Sequence, residues 1–220
     1  MKKRTWIILG AIAALVIVGI IVFFSMNREC DGPEEEWNDM KPIIYLYPEE
    51  DTQVTVTLGK PQNITCSYPA YEDGWTVVAH PDGTLTDLKT GRNLYALYWE
   101  GIRAASGRRD EGFVVSGADS AAFLEEKLAL LGLNEREAEE FIVFWLPRLE
   151  ENDYNFIRFE TAEEIEDHMP LTLSVQPDTL IRVRMEFKAV DGDFQATEQV
   201  LETPERTGFT VVEWGGTELN

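Results

Sequence analysis

The chain has 220 residues, and its 40 acidic and 19 basic residues give a formal net charge of −21. Four basic residues precede residue 29, whereas every acidic residue follows residue 28, so the remainder carries a net charge of −25. Such an acidic surface repels phosphate backbones, which argues against nucleic acid as a partner. It equally argues against anionic lipid headgroups as ligands.

The most informative segment is the apolar run from Trp6 to Phe24. Nineteen helical residues at about 1.5 Å each reach roughly 29 Å, close to the hydrocarbon thickness of a bilayer. The core of a cleavable signal peptide is shorter, and no small-x-small cleavage pattern follows the run. The sequence therefore predicts a retained transmembrane helix over residues 6–24, which makes the membrane itself a partner.

Charges on either side of this helix set its orientation. Lys2, Lys3 and Arg4 precede it, and an acidic segment follows it. The positive-inside rule then predicts a plasma-membrane protein with one span, a cytoplasmic tail of residues 1–5 and an extracytoplasmic C-terminal part.

The exported part divides into two predicted regions. Residues 25–41 are rich in Asp, Glu, Gly and Pro, which predicts an extended acidic stalk. Residues 42–220 are long enough for one domain with its own core.

Apolar periodicity predicts the elements of that domain in chain order. Alternation and β-prone runs predict strands at 43–47, 53–58, 64–68, 74–79, 84–88 and 94–99, with Asp82-Gly83 in a hairpin turn. A period near 3.6 then predicts a helix over 119–131 ended by Gly132, and a second helix capped by Asn134 with Glu137, which Pro147 should kink or end. Strands at 154–159, 171–175, 180–190 and 209–214 follow, with a short helix at 162–168. This order indicates an α+β fold built on antiparallel sheet with a central helical hairpin.

The two cysteines, Cys30 and Cys66, should both lie outside the membrane, where a disulfide persists. Such a bond would tie the stalk to the strand at 64–68. The alternative is that Cys66 is a small buried residue and Cys30 is free or joins another chain.

The sequence predicts no metal site and no cofactor. Two histidines cannot supply a conventional zinc site without carboxylates, and Glu164 with His168 indicates a solvated acidic helix face. Asp191-Gly192-Asp193 lacks the spaced ligands of an EF-hand, although a calcium site assembled only in the fold stays open.

A small, Gly- and Ala-rich segment that follows Trp99 and Glu100 concentrates the arginines Arg103, Arg108 and Arg109. Aromatic rings, a carboxylate and arginines near one strand end are a mixture that binds sugars, carboxylates or phosphates. The alternative is a flexible loop whose arginines relieve acidic repulsion.

Five strings resemble an uncharacterised family of exported or membrane-anchored proteins of Gram-positive bacteria: KPIIYLYP at 41–48, TCSYPAY at 65–71, YWEG at 98–101, FWLPR at 144–148 and GFTVVEWGG at 208–216. The resemblance covers nearly the whole exported domain. It implies that the protein is anchored and exported. It assigns no activity, because none is known for that family.

The same strings place Arg148, Glu213 and Trp214, together with Trp99 and Glu100, at predicted element ends. These side chains would line one ligand-binding cleft. Alternatively, the aromatic rings belong to the core and Arg148 forms an internal ion pair with Glu100 or Glu213, which is the reading the sequence favours.

These features lead to one functional prediction and two alternatives. The prediction is an anchored envelope protein whose exported domain binds or organises a partner without catalysis. The first alternative is a hydrolase of wall or carbohydrate material with Glu100 and Glu213 as acid and base, which requires their carboxyl groups about 5–10 Å apart. The second is an accessory subunit of a membrane complex recognised through the span. The oligomeric state stays open.

Overall fold

The computed structural model describes residues 36–104 and 110–219. The predicted cytoplasmic tail, the transmembrane helix and residues 25–35 of the stalk lie outside these ranges. Within the described residues, no helix is long and apolar enough to cross a bilayer.

The domain is a sheet-dominated α+β fold, as the sequence predicts. The strands within the described residues are β1 (Glu36–Tyr47), β2 (Thr52–Leu58), β3 (Ile64–Tyr68), β4 (Trp75–Ala79), β5 (Leu85–Asp87), β6 (Asn93–Leu94), β7 (Leu97–Ala104), β8 (Phe113–Ser116), β9 (Tyr154–Phe159), β10 (Leu171–Leu173), β11 (Thr179–Val190) and β12 (Thr210–Glu218). Two 3-10 helices cover Pro61–Asn63 and Gly117–Asp119.

The strands form two sheets. The large sheet has seven strands in the order β3-β7-β1-β12-β11-β9-β8, and the small sheet has five in the order β10-β2-β4-β5-β6. Pairing is antiparallel throughout both sheets except between β11 and β12, which run parallel.

The α-helices in the part of the chain that the structure describes are α1 (Ser120–Leu130), α2 (Glu135–Leu149) and α3 (Ala162–His168). Asn134 and Glu137 form the predicted capping box of α2. Pro147 does not end α2 before Leu149, because its ring lies in the last turn and its missing N–H removes only one late hydrogen bond.

The large sheet lies in the middle of three layers. One face packs against α1 and α2 through a core that includes Trp145, Phe187 and Trp214. The other face packs against the small sheet through a second core that includes Trp75 and Trp99. Alternation along each strand sends successive side chains to the two cores.

The predicted stalk boundary at residue 41 is wrong, because β1 begins at Glu36. Trp37 and Asp39 are both only 2% exposed. Asp39 accepts a 2.9 Å hydrogen bond from Arg184, which is 145 residues away in the chain. The acidic composition predicted a solvated segment because the sequence does not reveal this distant arginine.

Candidate functional site

One row of side chains crosses the large sheet on the face that carries α1 and α2. Tyr68 pairs with Tyr98, Tyr98 with Ile43, and Ile43 with Trp214 in the strand register. Strands β3 and β7 themselves contribute no residue to the core beneath the helices. The tyrosine end of the row is therefore open to solvent, whereas Trp214 is buried.

This open end is the floor of a groove of about 420 Å³, which we call the tyrosine groove. Tyr68, Tyr95 and Tyr98 line it, and Arg92 and Asn93 add polar groups at its side. Tyr68 is 50% exposed and Tyr95 is 48% exposed. Single exposed aromatic side chains are ordinary, but several that line one groove mark a candidate binding surface.

Helix α2 presents a stripe of four side chains toward the same face. Arg136, Glu140, Phe144 and Arg148 are spaced four residues apart, which aligns them along one side of the helix. Glu140 accepts hydrogen bonds from Tyr45, at 2.7 Å, and from Arg136, at 3.0 Å. The Arg136 guanidinium lies 5.4 Å from the Tyr95 ring centroid, which places the helix stripe beside the tyrosine groove.

Lys41 enters this region from an irregular position in β1. Its φ of +53° makes it the one non-glycine residue with positive φ within the described ranges, and the register of β1 shifts at this point. Its ammonium lies 4.9 Å from the Phe144 ring centroid and 5.3 Å from that of Trp214. Burial lowers the pKa of Lys41, an effect that Glu140 opposes.

Glu100 and Glu213 do not face each other. Trp99 donates a 3.0 Å hydrogen bond to Glu213, so both lie on the small-sheet face. Glu100 is the next residue in β7 and therefore lies on the opposite face with Tyr98. The sheet separates the two carboxylates, so the predicted acid and base do not share a cleft.

Glu213 is 2% exposed and pairs with Arg182 rather than with Arg148. The predicted internal ion pair of Arg148 with Glu100 or Glu213 is wrong. Arg148 instead donates to the carbonyl oxygen of Phe144 at 2.6 Å, and its guanidinium lies 4.3 Å from that residue's ring centroid.

Arg103 lies in a buried network of charges on the small-sheet face. Its guanidinium pairs with Asp39, Glu160 and Glu186. Further bonds extend the network through Arg184 to Asp39 and through Arg158 to Glu186 and Glu164. The bonds join β1, β7, β9, β11 and α3, so the network cross-links the sheet. Removing one member would leave an uncompensated buried charge.

Two titratable groups in this network have strongly shifted pKa values. Burial raises the pKa of Glu160 to about 7, although Arg103 and Arg184 oppose the shift. Burial and the nearby Arg103 lower the pKa of His168 to about 4. The predicted solvated acidic face is present at Glu163, Glu166 and Asp167, which are exposed. It is wrong for Glu164, which binds Arg158, and for His168, which approaches Glu160 at 3.7 Å.

The predicted ligand-binding residues thus fall into three groups. Glu100, Arg148 and Trp214 belong to the helix-side face with the tyrosine groove, whereas Trp99, Arg103 and Glu213 are buried on the other face. Arg108 and Arg109 lie outside the described residues, as does Cys30. Cys66 is exposed on β3 and pairs in register with Glu100, next to Tyr98.

Sequence reasoning missed Tyr68, Tyr95 and Lys41 as site residues. Tyr68 and Lys41 each precede a proline, where the chain leaves regular geometry, and this is the signal that could have singled them out. The pairing of Tyr68 with Tyr98 depends on strand order, which the sequence does not show. No group of three or more His, Cys, Asp or Glu side chains that could hold a metal occurs within 36–104 and 110–219.

The chain is thus a sheet-dominated α+β protein with an open, tyrosine-lined groove on its large sheet. It is 31% identical over 104 residues to an uncharacterised protein in the bglA 3′ region of Butyrivibrio fibrisolvens. The match covers 99% of that protein and 46% of this chain, so the chain belongs to the family of that protein. No family model and no solved structure matches the chain.

Proposed function

We propose that the protein is a membrane-anchored envelope protein whose exported domain binds saccharide chains in the tyrosine groove. The observation that carries the proposal is the convergence of Tyr68, Tyr95 and Tyr98 on one open groove of about 420 Å³. The flat faces of tyrosine rings stack against the C–H faces of pyranose rings while the hydroxyl groups stay hydrated. The groove is open to solvent at Tyr68 and Tyr95, which suits a chain better than an enclosed small molecule.

The polar neighbours of the tyrosines support the same ligand class. Arg92 and Asn93 offer hydrogen-bond donors at the groove side, and Asn93 also offers an acceptor. Glu100 lies two residues after Tyr98 on the same face of β7 and adds a second acceptor. Such a mixture of donors and acceptors matches sugar hydroxyl groups, each of which both donates and accepts. Glu100 and Glu213 lie on opposite faces of the large sheet, so the hydrolase alternative lacks its pair of catalytic carboxylates. This separation favours a binding role.

The test is binding of neutral oligosaccharides to the full-length protein in detergent, measured by calorimetry across a panel of glucans, xylans and mannans. We expect the double substitution of Tyr68→Ala with Tyr95→Ala to weaken binding of any positive ligand at least about tenfold. Tyr154→Ala is the matched control, because Tyr154 is 40% exposed on β9, away from the groove. Equal losses of oligosaccharide affinity in the groove variant and in the control variant would contradict the proposal.

Cys66 offers an independent readout of groove occupancy, because it is exposed beside Tyr98. After reduction, a bound oligosaccharide should slow alkylation of Cys66, with Cys30→Ser removing the second thiol. An alkylation rate unchanged by a ligand that binds would place that ligand outside the groove.

The anchoring part of the proposal rests on residues 6–24 and on the acidic segment that follows. A bulky membrane-impermeant maleimide should label Cys66 in intact cells, after reduction if Cys66 is paired. Labelling only after lysis would reverse the proposed orientation. Recognition of a membrane complex through the span remains the second proposal, tested by partner capture with a scrambled apolar segment.

A further inference from the structure

Two cations meet over Phe144, on the face of the large sheet that also carries the tyrosine groove. The Lys41 ammonium and the Arg148 guanidinium both lie against the ring of Phe144, at 4.9 and 4.3 Å from its centroid. Lys41 also lies over Trp214, which is the last member of the row that begins at Tyr68 and Tyr98. The two cations and the tyrosines therefore share one face of the sheet.

Neither cation forms a salt bridge with any residue in the described parts of the chain. This is unusual in a domain whose acidic residues far outnumber its basic ones. Other arginines within these ranges, such as Arg103, Arg158 and Arg182, are each paired with carboxylates. Both Lys41 and Arg148 are half-buried, so their charges are partly desolvated, and Glu140 offsets only part of this effect at Lys41.

The backbone geometry shows that this arrangement is costly. Lysine at a φ of +53° is strained by about 1–2 kcal/mol relative to the right-handed region. The strain positions the ammonium over Phe144 and Trp214 instead of in open solvent. Strained residues persist where the surrounding structure holds them, and they cluster at binding sites.

We propose that Lys41 and Arg148 bind the carboxylate of an acidic saccharide whose sugar ring stacks in the tyrosine groove. This inference rests on the proposed saccharide-binding function and names its ligand class. A carboxylate would accept hydrogen bonds from both cations, and the guanidinium geometry suits two parallel bonds to one carboxylate.

The surrounding carboxylates favour a single negative charge on the ligand. Glu100 lies close enough to accept a 3.4 Å hydrogen bond from the Lys41 backbone N–H, and Glu140 interacts with the Lys41 charge. Two cations and two carboxylates lie here, so a ligand that adds one negative charge leaves less unbalanced charge than a ligand that adds two. A sugar carboxylate therefore suits this site better than a phosphate monoester dianion.

The experiment compares three probes on the full-length protein: an oligogalacturonate, its methyl ester of the same length, and a neutral oligosaccharide. We expect the acid to bind at least about tenfold more tightly than its ester, with the preference lost as salt is raised. In the double variant of Lys41→Met with Arg148→Met, the acid and the ester should bind equally. Methionine keeps much of each apolar stem over Phe144 and so limits structural damage.

The matched control is Lys127→Met, because Lys127 also lies over phenylalanine rings, at 5.1 and 5.9 Å from Phe113 and Phe123, but on α1. This variant should keep the full preference for the acid. Equal binding of acid and ester by the unmodified protein would overturn the inference, as would an acid preference that survives in the double variant. If no oligosaccharide of any kind binds, the saccharide-binding function itself fails, whereas tyrosine-dependent binding without an acid preference overturns only this inference.

Discussion

The indole nitrogen of Trp99 donates a 3.0 Å hydrogen bond to one oxygen of Glu213, and Arg182 binds the other oxygen at 2.7 Å. Burial alone would raise the pKa of Glu213, but Arg182, Arg184 and Trp99 together lower it. The carboxylate is therefore held in its charged form between β7 and β11. Its role is structural, because both oxygens already have buried partners.

Replacing Arg182 should be strongly destabilising. Arg182→Met leaves Glu213 charged and buried without its main partner, which costs about 3–5 kcal/mol. Arg136→Met is the control, since Arg136 is exposed and its pair with Glu140 contributes less than about 1 kcal/mol. Urea denaturation of the two variants measures the difference. Similar losses of unfolding free energy in the two variants would mean that the Arg182–Glu213 pair stabilises the fold no more than a surface ion pair does.

His168 should make the domain less stable in acid. Its pKa is about 4 in the folded chain against 6.5 in the unfolded chain. The stabilisation from neutral His168 is therefore complete above pH 6.5 and is lost as the pH falls toward 4. Because the side chain is partly solvated, we expect a loss of about 1–2 kcal/mol.

Glu160 acts in the opposite direction over an overlapping range. Its pKa rises from 4.5 in the unfolded chain to about 7 in the folded chain. Its contribution to the unfolding free energy is therefore complete below pH 4.5 and is lost as the pH rises through 7. The difference in unfolding free energy between the unmodified protein and His168→Gln removes the part of the Glu160 contribution that the two proteins share, and it reports His168 together with its coupling to Glu160. That difference should shrink between pH 7 and pH 4, and a constant difference would contradict the assignment.

The sequence predicted most secondary structure correctly because periodicity and capping are local. The hairpin at Asp82-Gly83 and the capping box of Asn134 with Glu137 are confirmed. Strand β8 was missed, since four residues are too few to show alternation. The parallel pairing of β11 with β12 was also missed, because strand order depends on contacts far apart in the chain.

The candidate site was less predictable than the fold. Glu100 and Glu213 carry the same charge and each lies next to a tryptophan in the chain, yet one faces the groove side and the other is buried on the opposite face. A shift of one residue in register reverses which face a side chain occupies, and sequence alone did not fix that register. The buried partners of Asp39 and Arg103 come from other strands for the same reason.

The position of the first domain residue can be tested by truncation. A chain that begins at residue 36 retains Trp37 and Asp39, so it should fold and unfold cooperatively. A chain that begins at residue 42 leaves Arg103 and Arg184 without Asp39, a loss of about 3–5 kcal/mol before the missing strand pairing is included. Near-UV circular dichroism and urea denaturation distinguish the two chains. Equal unfolding free energies of the two chains would support the stalk boundary at residue 41 that composition predicts.

The turns on either side of β5 offer a matched pair of glycines that separates backbone strain from side-chain contact. Gly83 has a φ of +83° and Gly91 a φ of +69°, so alanine at either site costs about 1–2 kcal/mol in strain. A Cβ at Gly83 would lie 2.6 Å from the Tyr47 ring, whereas one at Gly91 meets nothing within 4 Å. We therefore expect Gly83→Ala to cost about 1–3 kcal/mol more than Gly91→Ala.

The excess cost of Gly83→Ala should depend on Tyr47 alone. In a Tyr47→Ala background, the ring is gone and only backbone strain remains, so the two glycine substitutions should become equally destabilising. Thermal unfolding of the five variants measures this coupling. Gly83→Ala could still cost more unfolding free energy than Gly91→Ala when the Tyr47 ring is absent. The backbone of the turn, and not the contact with Tyr47 on β1, would then require glycine at position 83.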